Sequence, residues 1–133
     1  MLTPDDPCPC ESGRAYGACC EPYLSRRENA PTAEALMRSR YVAYKLKNTD
    51  YLAYSWDPET CPDDFFMDDG GRWLGLKIKA TEAGGEGDTS GMVEFVARYK
   101  VNGQGLRLHE RSRFRRFEGR WVYVDGDLVE KKR

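Results

Sequence analysis

The sequence predicts an α+β protein: helices in the first half pack on a curved, meandering antiparallel sheet in the second, with a small cysteine knuckle at the start. Three observations predict it. Four of the five cysteines fall between Cys8 and Cys20. Apolar residues recur at helical spacing after Thr32. Period-two runs separated by turn signals fill the chain from Arg72 onward.

The knuckle comes first. In Cys8-Pro9-Cys10-Glu11-Ser12-Gly13-Arg14-Ala15-Tyr16-Gly17-Ala18-Cys19-Cys20, a Cys-x-Cys pair and a Cys-Cys pair are separated by eight residues. One tight turn, reversed at Ser12-Gly13, brings the four sulfurs together. Tetrahedral Zn²⁺ takes such a set, at about 2.3 Å per Zn–S bond. So short a segment buries little, and metal binding then supplies its folding free energy. Four sulfurs leave no position for water, which makes one ion structural rather than catalytic; ligand type alone would also suit iron. Two disulfides are the competing arrangement, opposed by the adjacency of Cys19 and Cys20 and by the absence of an export signal. Redox work is the third, opposed by the absence of Cys-x-x-Cys. Cys61 stands outside the motif and is given no metal role.

At 133 residues the chain fits one compact domain plus the knuckle. Hydrophobic residues at 40% and aromatics at 12% suffice for one real core. The formal charge of −1 gives no general drive toward nucleic acid or anionic membrane, and four thiolates around one Zn²⁺ would move it to −3. No apolar run is long enough for a membrane span. Met1-Leu2-Thr3-Pro4-Asp5-Asp6 does not resemble a secretory leader, so a cytoplasmic location is expected.

Glu21 to Pro31 reads as a linker or short helix. Thr32 has the character of an N-cap, and Ala33 to about Lys47 follows as a helix with Ala33, Met37, Tyr41 and Tyr44 on one stripe. Asn48-Thr49-Asp50 breaks and re-caps, giving a second helix over Tyr51 to Trp56 that ends before Pro58. Asp57 to Asp69 carries six acids without a basic residue. Its spacing is not that of an EF-hand, and a solvated loop pinned by Phe65 and Phe66 is expected. Four strands follow, over Arg72–Glu82, Met92–Val101, Leu106–Phe117 and Arg120–Asp125. Val93, Phe95, Ala97, Tyr99 and Val101 share one face, and Asn102-Gly103 and Glu118-Gly119 supply hairpin turns.

Cys-Pro-Cys-x-Ser-Gly-x-x-Tyr-x-x-Cys-Cys resembles the SEC-C motif, the zinc knuckle found at the C-terminus of the SecA translocation motor. The match rests on Cys8, Pro9, Cys10, Ser12, Gly13, Tyr16, Cys19 and Cys20; Glu11 replaces the glycine common there, and Cys20 takes a place where histidine also occurs. The resemblance implies zinc ligation by Cys8, Cys10, Cys19 and Cys20. The knuckle of SecA binds the chaperone SecB and the ribosome, which implies a protein partner. Over the full length the chain resembles YchJ-like bacterial proteins, which join this knuckle to an NTF2-like cone. Glu34-Ala35-Leu36-Met37-Arg38-Ser39-Arg40-Tyr41, Leu108-His109-Glu110-Arg111-Ser112-Arg113-Phe114 and Trp121-x-Tyr123-Val124-Asp125-Gly126 carry that likeness. It implies a knuckle over 1–24 and an NTF2-like domain over 25–133.

NTF2-like cones often hold a pocket between helix and sheet, and Tyr41, Tyr44, Trp56, Trp73, Phe95 and Tyr99 are its candidate lining. The same aromatics would equally serve as plain core. Glu110 shares the parity of Leu108 and Phe114 and should face inward, as a weak acid–base candidate or as half of a buried ion pair with Arg38 or Arg40. His109, the only histidine, should face the other way. Arg107, Arg111, Arg113 and Arg115 share its parity and form a row that could follow a phosphate backbone or an acidic protein, or be answered by the chain's own acidic loop. The first expectation is therefore a zinc-binding, non-enzymatic adaptor on protein or ribonucleoprotein, as monomer or homodimer. A small-molecule binder or enzyme using Glu110 is the second, and RNA binding through the arginine row the third.

Overall fold

The computed structural model describes residues 3–61 and 71–129. Its helices are α1 (Glu21–Leu24), α2 (Ala33–Leu46) and α3 (Thr49–Tyr54), preceded by a 3₁₀ turn at Tyr16–Ala18. Strands β1 (Gly71–Ala83), β2 (Ser90–Val101), β3 (Gln104–Phe117) and β4 (Arg120–Leu128) form one antiparallel sheet in the order β1-β2-β3-β4. The expected order of helices before a meander is the observed one.

Capping sets the helices. The Thr32 side chain accepts from the Ala35 N–H at 3.1 Å, and Lys47 closes α2 in the left-handed region at φ 60°. Asn48 accepts from the Tyr51 N–H and starts α3 two residues earlier than the apolar pattern suggests. Trp56 therefore lies beyond α3, bridging to Tyr123, while Asp57 N–H donates to the Tyr123 carbonyl. This short segment extends the sheet at β4.

Asn102 and Gly103, at φ 52° and 80°, make the β2–β3 turn, and Glu118 and Gly119, at 52° and 83°, make the β3–β4 turn. Two consecutive positive φ values match the right-handed strand twist. Register shifts at Trp73/Gly75, Ile78/Ala80 and Arg113/Phe114 bend the sheet around α2.

The main core joins Leu36, Val42, Val93, Phe114 and Trp121 to the four motif cysteines, all of them at most 7% exposed. The knuckle is thus not an appendage: its sulfurs pack under α2. Ala43, Tyr51 and Leu52 form a second cluster between α2 and α3. The acidic segment departs from expectation at its start, because Asp57 is buried and paired rather than solvated. From residue 62 onward the segment, including Phe65 and Phe66, lies outside the described residues. Cys61 is half-buried, its N–H on the Asp57 carbonyl.

Candidate metal centre and cavity

The knuckle is a hairpin. Cys8 N–H donates to the Arg14 carbonyl, Glu11 N–H to the Cys8 carbonyl, and Pro7 bridges Ala15. The reversal runs through Glu11 at φ 64° and Gly13 at φ 90°. Glu11 thus holds a left-handed conformation that glycine takes more readily than a side-chain-bearing residue. The 3₁₀ turn then delivers Cys19 and Cys20 over the first pair.

The four sulfurs lie within 4.8 Å of one another. Cys10 and Cys19 are 3.6 Å apart, and Cys19 and Cys20 are 3.9 Å apart. A tetrahedron with Zn–S bonds of about 2.3 Å has edges of about 3.8 Å, so the spacing fits a metal ion. None of the four is in a disulfide. Ser12 Oγ lies 3.1 Å from the Cys19 sulfur, and Arg38 Nη1 donates to the Cys10 carbonyl at 2.8 Å with the Cys10 sulfur at 3.8 Å. Hydrogen bonds from Cys20 and Cys8 hold the Cys10 thiol far below its ordinary range. The hydrogen bond with Cys10 pushes Cys8 up to about 12. A bound dication would let all four ionise.

The second feature is a cavity of about 210 Å³ between α2 and the sheet, partly open to solvent. Helix α2 contributes Met37, Arg40, Tyr41 and Tyr44. Strand β1 adds Trp73, β2 adds Phe95, β3 adds Glu110 and Ser112, and β4 adds Tyr123. Of the residues the sequence proposed, Tyr41, Tyr44, Trp73, Phe95 and Glu110 meet there. Trp56 and Tyr99 stand one layer back, with Trp56 packing edge-on against Tyr123 at 5.3 Å and Tyr99 against Trp73 at 5.2 Å.

Glu110 faces inward as its parity predicts, but its partners are not those expected. Its Oε2 accepts from Ser112 Oγ at 2.7 Å and from the Tyr123 hydroxyl at 3.3 Å. Arg38 is engaged with Glu34 and the knuckle. Arg40, only 3% exposed, donates Nη1 to the Leu52 carbonyl and to Ser55 Oγ. Its guanidinium lies 4.9 Å from the Trp56 ring and 4.6 Å from the Tyr123 ring. Among the described residues no carboxylate is within ion-pairing distance of Arg40. Burial lowers its pKa, and burial also raises Tyr41 to about 12. Ser112 and Tyr123 were missed as site residues, and Arg40 was named only as an ion-pair partner for Glu110. The signal was present, since Arg40 stands three residues after Met37 and four before Tyr44, on the apolar stripe of α2.

The arginine row lies on the opposite sheet face, largely neutralised. Arg111 pairs with Glu94, Arg113 with Asp125 and Asp127, and Arg115 with Asp57 and Glu59. His109 also bonds Glu94, at 2.7 Å, away from the cavity. Arg107 is exposed. Among the described residues no helix is long and apolar enough to cross a membrane.

Comparison with known proteins agrees with this architecture. The family described as "YchJ, middle NTF2-like domain" matches residues 32–126, and the SEC-C motif matches residues 6–22. A UPF0225 protein of Cupriavidus pinatubonensis is 52% identical over 130 residues, covering 92% of this chain and 89% of its own. A UPF0225 protein of Deinococcus radiodurans is 48% identical over 123 residues, with 92% and 89% covered. The solution structure of a SEC-C motif containing protein from Rhodopseudomonas palustris is 39% identical, with a TM-score of 0.83 over 94% of this chain and 100% of that one. A crystal structure of a SEC-C motif containing protein from Psychrobacter arcticus shares the fold, at TM-score 0.75 and 24% identity over 100% of this chain and 88% of its own. The cysteine hairpin and the helix-filled sheet are therefore those of the YchJ-type NTF2-like family, to which this chain belongs.

Proposed function

We propose that this chain is a zinc-stapled small-molecule-binding protein. One structural Zn²⁺, held by Cys8, Cys10, Cys19 and Cys20, fastens the N-terminal segment to the core, and the cavity beneath α2 takes the ligand. The observation that carries the ligand reading is the convergence of Arg40, Glu110 and several aromatic rings on one cavity. Sulfur spacings near 3.8 Å support zinc over other fates of the thiols. Zinc-bound thiolates suit a reducing compartment, in keeping with a cytoplasmic location. Native mass spectrometry of the purified chain, compared with the acid-denatured sample, tests both halves. One zinc per chain, lost in Cys8→Ser, supports the staple, and a metal-free, fully reduced chain that refuses added zinc overturns it. An organic mass on the native species supports the ligand reading.

The adaptor role expected from the motif is the second reading. It is favoured by a groove beside Cys19 and Cys20, lined by Ser12, Arg14, Tyr23, Thr32 and Arg38, where a partner's chain would meet the knuckle. RNA binding draws on Arg107, Arg111, Arg113 and Arg115, of which the last three already hold carboxylates. Steeply salt-dependent RNA affinity, lost in a triple Ala variant at Arg111, Arg113 and Arg115, would restore it.

A further inference from the structure

Building on the small-molecule reading of the cavity, we infer that its ligand is a single aromatic ring with two polar ends: an anionic or acceptor end for Arg40 and a hydrogen-bond donor for Glu110. Size comes first. A cavity of about 210 Å³ exceeds the roughly 150 Å³ that accommodates benzene, leaving room for a ring with two small substituents. The walls select a ring. Tyr41 and Tyr44 each meet Trp73 at 5.9 Å between ring centres, leaving aromatic surface toward the cavity.

The polar groups then select its ends. Arg40 is a buried cation on the cavity wall with carbonyl and hydroxyl partners in place of a carboxylate. An anionic or strong acceptor group on the ligand supplies the missing counter-charge. Glu110 is presented differently. Ser112 and Tyr123 both donate to Oε2, and among the described residues no hydrogen bond reaches Oε1, which remains an acceptor for a ligand donor. Gly126 secures that presentation. A Cβ there would stand 2.0 Å from Glu110 Oε2 and 2.6 Å from Cδ, so any larger residue displaces the carboxylate. A purely cationic ligand is disfavoured because Arg40 already occupies the space between Trp56 and Tyr123.

The experiment titrates the full-length, zinc-loaded chain with 4-hydroxybenzoate, benzoate, phenol and benzyltrimethylammonium, followed by calorimetry and by Trp fluorescence. The inference expects 4-hydroxybenzoate to bind at least about tenfold more tightly than benzoate or phenol. It expects Gly126→Ala, and independently Glu110→Ala, to remove the advantage over benzoate. Equal affinities across the series, an unaltered advantage in both variants, or tightest binding of benzyltrimethylammonium would overturn the ligand class and leave the cavity standing as a binding site. No binding of any probe would overturn the small-molecule reading itself. The comparison between probes on the unaltered chain stands even if one variant fails to fold.

Discussion

Arg38 Nη1 reaches back 28 residues to the Cys10 carbonyl at 2.8 Å, with the Cys10 sulfur 3.8 Å away, while its Nε holds Glu34. Helix α2 thereby fixes the first cysteine pair through a cation that also offsets thiolate charge. Such outer partners typically govern metal affinity by 10- to 100-fold. Arg38→Ala should weaken metal binding at least about tenfold in a chelator competition. Unchanged affinity would make Arg38 a surface residue with no part in the metal site.

Because the four cysteines share the core with Leu36, Val42 and Trp121, metal loss should loosen more than the knuckle. Chelation, or Cys10→Ser, is expected to lower the unfolding temperature of the whole chain by more than about 10 °C. A two-step melt, with the sheet unmoved, would show that the knuckle melts alone.

The pH dependence at Asp57 has a definite sign. The Arg115 hydrogen bond holds the Asp57 carboxyl below its ordinary value of 3.8. A lowered folded-state value contributes stability that is present above the ordinary range and lost as pH falls through the folded value. Asp57→Asn should therefore be less stable than the parent chain at pH 6, and the gap should shrink at a pH well below the ordinary 3.8. Urea midpoints at the two pH values decide it; a gap that widens in acid would reverse the assignment.

Glu11 sits at φ 64°, a conformation that costs a side-chain-bearing residue about 1–2 kcal/mol. Glycine's greater freedom in the unfolded chain takes back about 0.4–1 kcal/mol of the relief. Glu11→Gly should therefore stabilise the metal-loaded chain by up to about 1.6 kcal/mol. A loss of stability would assign a binding role to its carboxylate, which lies over Gly75.

Buried Leu52, 0% exposed, joins α3 to α2. Leu52→Ala should cost about 2–5 kcal/mol by denaturant unfolding. A cost under about 1 kcal/mol would mean that α3 repacks freely.

Local patterns carried most of the fold. Thr32, Asn48, Asn102-Gly103 and Glu118-Gly119 all act within a few residues, and each appears where its chemistry dictates. Strand parity likewise sorted Glu110 inward and His109 outward. What sequence could not reveal was pairing across distance. Glu110 could be assigned a buried partner, but choosing Tyr123 over Arg40 depends on the β3–β4 register, which shifts at Arg113/Phe114. Asp57 looked solvated because its local segment is acidic, and its burial follows from Arg115, 58 residues away.

The packing of the knuckle also sets an order of events during synthesis. The cysteines leave the ribosome well before Trp121, which shares their core and donates from its indole to the Pro31 carbonyl across 90 residues. Until the strands emerge, the core that holds the hairpin is incomplete. A metal ion captured early would keep four reactive thiols organised and occupied until the rest of that core is in place.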